Sequence, residues 1–451
     1  MKIYFCGGAG SVTGANFLFE TEDSKFLVDC GLIQGDRFSS AHNNDPFTYN
    51  PAEVETLLVT HAHADHIGRI PKLVRDGFSG QIYSTPPTRD LANVMLRDAY
   101  KVMLFEEERY GTERCYEMQD IERALSLWRT HEYHDQFTIP GNVMVTFTDA
   151  GHILGSAMIT LERNGKKFVC TGDIGNNPQP LLNPPEIVPD YDYLLMESVY
   201  GDRSHEEVQE RTDLLRMYIE DTIQKRGTLI IPAFSLERTQ GMLFEINNFF
   251  EHGGLAPVPV FLDSPLAIAV TDIYRRYTGY LKDSVRAQIE GGDDIFDFPR
   301  LTFTRSVKDS EEIERERGPK IIIAGSGMSH GGRILMHEKR YLEDPKTTLL
   351  LVGYQSVGSL GRLLNDGAKK VRIYDSEVKV KATIAKIRGY SGHADRDQLV
   401  GFVEKGGGKV KELFVTMGEE RASLFLVQRL RDYLGVNAVA PAQDDVYEVD
   451  F

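Results

Sequence analysis

Hydrophobic and polar positions alternate along the first thirty residues, in KIYFCGG and again in NFLFETEDSKFLVDC. Successive side chains of a strand point to opposite faces, so a period of two predicts three short strands joined by turns. ETLLVT and QIYST predict two further strands, and residues 88–110 have the apolar spacing of a helix. The polar, highly charged stretch 111–136 predicts more helix.

Strand patterns return between residues 143 and 198, and one of them contains a hairpin signal. Asn164-Gly165 separates SAMITLER from KKFVCTG, and Asn-Gly favours two-residue hairpin turns because both residues tolerate positive φ. Strands paired in this way, with helices between the groups, predict two packed sheets with helices outside them.

The pattern changes after residue 201. Strand-like runs such as TLIIPAF, VPVFLDS, KIIIAGSG and TTLLLVGYQ alternate with helical stretches over residues 202–379. Alternating strands and helices with short connections predict a parallel-sheet α/β domain. From residue 380 the chain resembles the first region again. We therefore expect one domain formed by 1–201 and 380–451, with a second α/β domain inserted at 202–379.

Net charge and cysteine content limit the classes of protein to which the chain can belong. The net charge of −16 argues against nucleic-acid binding by bulk positive charge, although a site loaded with divalent cations can still act on a polyanion. The four cysteines form no C-x-x-C motif, which predicts reduced thiols in a cytoplasmic protein. The sequence has no run of 18 apolar residues and no secretory signal, so we expect neither a membrane span nor export.

Three histidines and an aspartate fall within six positions in HAHADH, at His61, His63, Asp65 and His66. His61 and His63 are two apart at the end of a strand and can face one point. Asp65 and His66 begin the next helix and face another. Zinc accepts imidazole nitrogens and carboxylate oxygens at about 2 Å. The simplest use of four ligands so placed is a pair of neighbouring metal ions.

Two metals need further ligands, which should come from other strand ends. TDAGHILGSAM offers His152 and VCTGDIGNN offers Asp173, each directly after a strand and beside glycines. A carboxylate can bridge two cations that lie about 3.5–4 Å apart, and Asp173 is the candidate for that position. The alternative, a polar surface turn without metal, is disfavoured by the density of ligand types in HAHADH.

HAHADH, AGHILGS, TGDIG and the earlier FLVDCG together resemble the metallo-β-lactamase fold. Later motifs resemble its β-CASP ribonuclease branch, which includes the endonuclease of messenger-RNA 3′-end cleavage and its bacterial and archaeal relatives. These motifs are MESVYGDR, IPAFSLERTQ, FLDSPLA, GSGMSHGGRIL, LVGYQSVGSLGR and GYSGHAD. The resemblance covers essentially the whole chain. It implies an α/β protein: a four-layer αββα metallo-β-lactamase fold with an inserted β-CASP domain of parallel-sheet type.

The resemblance also implies an activity: a zinc-dependent ribonuclease in which a metal-bound hydroxide attacks phosphodiester bonds of single-stranded RNA. Endonuclease and 5′-exonuclease action both stay open. Two zinc ions per chain are expected. Carried over by position, the implied ligands are His61, His63 and His152 for one zinc, Asp65 and His66 for the other, and Asp173 between them.

Three further residues match family positions around the metals. Asp29 would orient the histidine loop as a carboxylate behind the ligands. Glu197 and His393 match the family's acid–histidine pair. In that pair His393 would contact the scissile phosphate and protonate the leaving oxygen, while Glu197 would hold its ring and raise its basicity.

One position departs from the family pattern. Where the family usually has a histidine that completes the second zinc, this chain has Met417 in LFVTMGEE. A thioether is a soft and weak ligand for zinc. Three hypotheses follow: an enzyme with a loosely held second metal, a DNA-directed member of the family, or a weakly active relative that works mainly by binding RNA.

Substrate contacts are expected in the family-like motifs of the inserted domain, where glycine-rich backbone and arginines suit phosphate binding. His330 is unusual for its loop, and a solvent-facing imidazole is an equally good interpretation. Because nothing precedes the first strand, we expect no RNA-binding N-terminal module of the kind that some archaeal relatives carry. The candidate contacts are Ser235, Arg238, Ser329, His330, Arg333 and Arg362.

Two other classes of protein compete with a nuclease. A small-molecule hydrolase of the same fold would share the metal ligands but would need neither the inserted domain nor Glu197 and His393. A non-catalytic scaffold would not need the intact ligand set. Single-stranded RNA is the expected partner, and a homodimer is a further expectation because relatives often pair through the C-terminal region.

Overall fold

The structure is a computed structural model that describes residues 1–35, 42–205, 208–353, 355–356, 358–387 and 389–451. All elements below belong to these residues. The chain forms two compact units, Met1–Ser204 with His393–Phe451, and His205–Gly392. The sequence placed the second boundary at 380. The chain instead stays in the inserted unit until Gly392, because the strand Thr383–Ile387 pairs in parallel with Thr348–Val352.

The first unit contains two seven-stranded sheets. The first sheet consists of β1 (Lys2–Gly7), β2 (Asn16–Glu20), β3 (Lys25–Val28), β4 (Thr56–Leu58), β5 (Gln81–Ser84), β6 (Trp128–Thr130) and β22 (Val446–Glu448). The second consists of β7 (Gln136–Ile139), β8 (Val143–Asp149), β9 (Ala157–Arg163), β10 (Lys166–Cys170), β11 (Tyr193–Glu197), β20 (Glu412–Thr416) and β21 (Ala438–Val439). The Asn164-Gly165 hairpin between β9 and β10 is confirmed. The prediction of helix throughout 111–136 is wrong, because β6 pairs with β5.

The strands of the second sheet divide their side chains between two cores. Phe168, Leu195 and Phe414 join the core between the two sheets, where Phe5 and Phe19 approach them from the first sheet. Their neighbours on the opposite face, including Val169, Leu194 and Leu413, join a separate core with the last two helices. This alternation is what a sheet buried on both faces requires.

The first sheet is also covered on both faces. Leu58 belongs to the core between the sheets, whereas Leu57 and Ile82 point the other way and are fully buried. Helices therefore lie outside both sheets, and the expected αββα layering is confirmed. The helices of this unit are α1 (Ala64–Ile67), α2 (Ile70–Arg75), α3 (Pro86–Tyr110), α4 (Met118–Ser126), α12 (Arg396–Gly406) and α13 (Glu420–Leu434).

The inserted unit is built on a six-stranded parallel sheet in the order β14-β13-β15-β12-β16-β19. Its strands are β12 (Thr228–Pro232), β13 (Val260–Asp263), β14 (Leu301–Phe303), β15 (Lys320–Ala324), β16 (Thr348–Val352) and β19 (Thr383–Ile387), and a separate hairpin is formed by β17 (Lys370–Ile373) and β18 (Ser376–Lys379). Its helices are α5 (Val208–Lys225), α6 (Arg238–Glu251), α7 (Pro265–Arg276), α8 (Asp283–Glu290), α9 (Val307–Glu312), α10 (Ile334–Tyr341) and α11 (Leu360–Asn365). Each crossover between neighbouring parallel strands carries a helix, as the sequence predicted. None of the helices in the described ranges is long and apolar enough to cross a membrane.

A buried carboxylate organises one end of this parallel sheet. Asp263, at the end of β13, has no exposed side-chain surface and accepts hydrogen bonds from Arg333 at 2.6 Å and from His337 at 2.7 Å. The hydroxyls of Thr304 and Ser310 also donate to it. Burial alone would raise the pKa of Asp263, but these donors lower it to about 2.

Replacing Asp263 with alanine should lower the free energy of unfolding by about 3–5 kcal/mol, because the largely buried Arg333 would lose its ionic partner. Urea unfolding followed by circular dichroism measures the effect. The folded-state pKa of about 2 lies below the unfolded value. The stabilisation is therefore present above about pH 4 and is lost as the pH falls towards 2.

The matched control is Asp272→Ala. Asp272 is 44% exposed and pairs with Arg275 at 3.6 Å and with Arg305 at 3.4 Å, a surface arrangement worth at most about 1 kcal/mol. Equal losses in the two variants would contradict the special role of Asp263.

Candidate metal centre

The candidate residues come from strand ends of both sheets in the first unit. Asp29 follows β3, His61 follows β4, His152 follows β8 and Asp173 follows β10, while Glu197 is the last residue of β11. All five side chains are almost fully buried. The hydrophobic strands thus position these polar side chains together, at and just after the strand ends of the two sheets.

Four ligand atoms converge into one set. His61 Nε2 and His152 Nε2 each lie 3.1 Å from His63 Nδ1. Asp173 Oδ2 lies 3.3 Å from His61 Nε2 and 3.4 Å from His152 Nε2. Ligands of a tetrahedral zinc ion at about 2.0–2.1 Å are separated by about 3.3–3.4 Å. The four measured distances therefore match the ligand spacing of a tetrahedral zinc site, and all four atoms lie within 4.8 Å of one another.

The other oxygen of Asp173 faces a second set of ligands. Asp173 Oδ1 lies 3.4 Å from His66 Nε2, which lies 4.0 Å from Asp65 Oδ2. Both Asp173 Oδ1 and His66 Nε2 are buried and have no hydrogen-bond partner among the described residues. Burying such atoms without partners is costly, and a cation between them would remove the cost. A cation beside these two atoms would thus define a second metal position, with Asp173 between the two positions.

Two of the candidate imidazole ligands, His61 and His63, are in the protonation state that metal binding requires. Burial, followed by the charge of neighbouring imidazoles, lowers the pKa of His61 and lowers that of His63 further. Both rings are therefore neutral at pH 7 and offer lone pairs to a cation.

Asp29 and Thr60 orient this cluster from behind. Asp29 Oδ2 lies 2.7 Å from His66 Nδ1, and its carboxylate accepts hydrogen bonds from the Thr60 backbone N–H and hydroxyl, both at 2.8 Å. The Thr60 hydroxyl lies 3.0 Å from His61 Nδ1. These contacts direct the Nε2 atoms of both rings towards the ligand sets.

Two glycines allow the loops to approach closely enough. A Cβ at Gly31 would lie 1.6 Å from the carbonyl oxygen of Asp65, and a Cβ at Gly175 would lie 1.8 Å from that of Gly151. Any side chain at these positions would push the Asp65 loop or the His152 loop outwards. The glycines beside the candidate ligands are therefore a steric requirement of the site.

The acid–histidine pair lies next to the ligands. His393 Nδ1 lies 3.2 Å from Glu197 Oε1 and 3.8 Å from Asp173 Oδ2. The Ala394 N–H donates to the Ile174 carbonyl at 2.7 Å, which anchors the His393 segment beside Asp173. Burial alone would lower the pKa of His393, but the Glu197 and Asp173 carboxylates raise it to about 9. The ring therefore holds a proton at neutral pH.

Met417 occupies the position expected for a histidine ligand. Its side chain is 2% exposed and belongs to the core between the two sheets. Its backbone N–H donates to the Gly8 carbonyl at 2.7 Å, and its sulfur lies where a Cβ on Gly8 would point. Its φ of +46° places it in the left-handed region. The thioether therefore serves in packing.

The predicted substrate contacts lie in the inserted unit, after the carboxyl ends of the neighbouring strands β12, β15 and β16. Ligands of open parallel sheets bind at that edge. Several of these side chains are engaged within the unit. Arg238 donates to the Val352 carbonyl at 2.8 Å, Arg333 is paired with Asp263, and the Ser329 hydroxyl donates to the buried Glu338.

The other three contacts remain nearer the surface. Ser235 Oγ lies 3.4 Å from Ser264 Oγ, exposed His330 lies 3.4 Å from the Ser356 hydroxyl, and Arg362 donates to Asp366 at 2.8 Å. The substrate role of all six residues stays a prediction.

Sequence reasoning missed two supporting residues. Thr60 directly precedes His61, and its position at a strand end was an available signal. Ser156 accepts hydrogen bonds from the backbone N–H groups of His152 and Ile153 at 3.1 and 3.3 Å, and so holds the His152 loop. Its distance of four residues from the histidine gave no pattern to find it by.

Comparison with known protein families places three segments of the chain. Residues 18–190 match the metallo-beta-lactamase superfamily domain, and residues 239–364 match the Beta-Casp domain. Residues 377–441 match the Zn-dependent metallo-hydrolase RNA specificity domain.

Full-length relatives complete the assignment. The chain is 37% identical to Ribonuclease TTHA0252 of Thermus thermophilus, covering 90% of this chain and 91% of the relative. The chain belongs to the β-CASP family of the metallo-β-lactamase superfamily. It is also 31% identical to an RNase J-like protein of Methanocaldococcus jannaschii over 99% of both chains. Transcription termination factor FttA of Methanosarcina mazei is 29% identical, covering 98% of this chain and 70% of that protein.

Membership in the β-CASP family confirms the predicted family and fold, and it confirms that the chain is a metal-dependent hydrolase. A solved structure has the same fold: a protein of unknown function from Enterococcus faecalis V583 gives a TM-score of 0.55 at 13% identity and covers 99% of both chains. The matches to a metallo-hydrolase family and to a relative named as a ribonuclease, rather than this structural likeness, disfavour a scaffold without catalytic function.

Asp29→Asn should weaken metal affinity by about 10–100-fold, because the amide cannot replace the charge behind His66. Competition with a chromophoric chelator measures the affinity. Asp45→Asn is a matched control, because Asp45 also contacts a histidine, His42 at 2.7 Å, but both are exposed. If both variants bind metal like the unaltered protein, Asp29 does not support the ligands.

Proposed function

We propose that this hydrolase is a zinc-dependent ribonuclease that cleaves single-stranded RNA with two metal ions per chain. The chain is a nuclease of the β-CASP family, since the relatives that match it over most of its length are named as a ribonuclease and as RNase J-like. The RNA specificity domain matched by residues 377–441 favours RNA as the substrate. The single observation that carries the proposal is the pair of ligand sets that share Asp173.

The zinc ions would be held by the two ligand sets. The first would use His61, His63 and His152, the second Asp65 and His66, and Asp173 would contribute one oxygen to each. When bound, zinc polarises phosphoryl oxygens and makes a hydroxide nucleophile available near neutral pH. The residues behind the ligands, Asp29 and Thr60, keep the imidazole nitrogens directed at the metals.

His393 is the proposed general acid. Its ring holds a proton at neutral pH and lies beside Asp173, so a phosphodiester at the metals would have its leaving oxygen within reach of that proton. Glu197 fixes Nδ1 of the ring, leaving Nε2 to face the substrate. Glu197 also accepts a hydrogen bond from the Ile174 N–H at 2.7 Å, which holds the carboxylate in place.

The second zinc is proposed to bind more weakly than the first. Among the described residues, the first set has four ligand atoms and the second has three, because Met417 is used in packing. Bound cations would also compensate the acidic character of a protein that must approach a polyanion. A DNA-directed nuclease remains the alternative, distinguished by the substrate test below.

We also propose a cytoplasmic location, which is supported by four free cysteines, three of them buried. Endonuclease and 5′-exonuclease action differ in where along the RNA the cuts are made. The lengths of the products from end-labelled RNA distinguish the two. The homodimer stays a prediction.

End-labelled single-stranded RNA should be cleaved by the zinc-loaded protein, and cleavage should stop when a chelator is added. Asp173→Ala should abolish cleavage because both ligand sets lose an oxygen, and His393→Ala should reduce it by about 10²–10⁴-fold because the general acid is lost. Gel analysis of the products gives the rates. The control is Asp272→Ala, on the surface of the inserted unit, which should cleave normally.

The same assay on matched single-stranded DNA tests the alternative. Cleavage of DNA alone would replace the proposed substrate. RNA cleavage that persists in Asp173→Ala would contradict the role of the ligand sets.

Met417→His should convert the second metal from weakly to tightly bound, because imidazole is a much better zinc ligand than a thioether. Elemental analysis after extensive dialysis measures zinc per chain. Met417→Leu keeps the apolar side chain without adding a ligand and should leave the zinc content unchanged. One tightly held zinc per chain in both variants would argue against the proposed second site.

A further inference from the structure

A buried polar cluster surrounds the last residues of the inserted unit before the chain returns. Arg211 of α5 donates through Nη1 to the Gly389 carbonyl at 2.8 Å. The Tyr390 hydroxyl donates to the buried carboxylate of Glu245 in α6. We call Arg211, Glu245, Gly389 and Tyr390 the exit clamp.

The exit clamp is closely packed as well as hydrogen-bonded. The Arg211 guanidinium lies 5.2 Å from the centre of the Tyr390 ring, and its Nε lies 4.0 Å from a Glu245 oxygen. Arg211 and Tyr390 are 3% and 7% exposed. A Cβ at Gly389 would lie 3.2 Å from side-chain carbons of Arg211, so the backbone rests directly on the arginine.

The clamp stands immediately before the histidine that the proposed mechanism uses as its acid. Three peptide steps join Tyr390 to His393, which limits the separation of their Cα atoms to about 10–11 Å. On the far side of this short connection, the Ala394 N–H donates to the Ile174 carbonyl, and His393 pairs with Gly175. The segment that carries His393 is thus anchored just before and just after Ser391 and Gly392.

We propose that Arg211, Glu245 and Tyr390 are positioning residues for His393, acting by fixing the chain where it leaves the inserted unit. The proposal rests on the function proposed above, because it assigns His393 a role in cleavage. Releasing Tyr390 removes the anchor that precedes Ser391, and His393 then samples orientations that miss the leaving oxygen. A small loss of alignment is costly for a proton transfer that needs hydrogen-bond distance.

The test compares two tyrosines in the full-length, zinc-loaded protein. Tyr390→Phe removes the hydroxyl that donates to Glu245. Tyr274→Phe removes an equivalent buried hydroxyl, which donates to Glu237 next to the same helix but is far along the chain from His393. Single-turnover cleavage of end-labelled RNA gives the rate at saturating enzyme and the half-saturating concentration separately.

Tyr390→Phe should lower the saturating rate by about tenfold, with the half-saturating concentration changed by less than about twofold and with the zinc content unchanged. Tyr274→Phe should leave the saturating rate unchanged. Glu245→Gln keeps an oxygen that accepts from Tyr390, and it should retain most of the rate. Equal rates in the two tyrosine variants, or loss of rate in Glu245→Gln with none in Tyr390→Phe, would overturn the proposal.

Hydrogen exchange separates the clamp from the proposed activity. In Tyr390→Phe the amide of Ala394 should exchange several-fold faster, because its local opening becomes easier, whereas Tyr274→Phe should leave it unchanged. Unchanged exchange in Tyr390→Phe would overturn the clamp whatever the enzyme cleaves. An unaltered protein that fails to cleave RNA would instead overturn the proposed function, and the exchange measurement would still decide the clamp.

Discussion

A buried carboxylate needs cations or hydrogen-bond donors, and Asp173 is 2% exposed with an oxygen that has no donor among the described residues. One of its oxygens lies 3.3–3.4 Å from the imidazoles of His61 and His152, and the other lies 3.4 Å from that of His66. The surrounding strands, glycines and side chains support that arrangement. Hydrophobic strands carry the ligands to one edge, glycines let the loops meet, and Asp29 and Thr60 hold the rings from behind.

The candidate ligands could be picked out from the sequence because their spacing reflects local geometry. HAHADH places four candidate metal ligands within one turn, and His152 and Asp173 each follow a strand beside glycines. The roles of Thr60 and Ser156 could not be predicted, because a hydroxyl that orients a neighbour has no periodic or compositional signature. The fit of Asp173 between two sets depends on two loops meeting in space, which no spacing along the chain encodes.

The layers of the fold could be predicted from hydrophobic alternation, but the edge strands of the sheets could not. β6 lies in a charged stretch that predicted helix, because three residues are too few to show a period and their pairing with β5 decides the outcome. The end of the inserted unit was placed early for a related reason. β19 carries a lysine and is short, so its membership of the parallel sheet comes from its neighbour β16. Two of the three arginines expected at the substrate show the same limit: the partner of Arg333, Asp263, and that of Arg238, the Val352 carbonyl, come from distant strands.

The backbone conformation of Met417 bears on how the metal content of such a centre could change. Methionine is held there with positive φ, a conformation in which histidine, asparagine and aspartate are several times more common than most other residues. A histidine at position 417 could thus adopt the existing backbone conformation. If the proposed second metal binds, exchanging this single side chain would change its occupancy, while the scaffold and the neighbouring position would be left as they are.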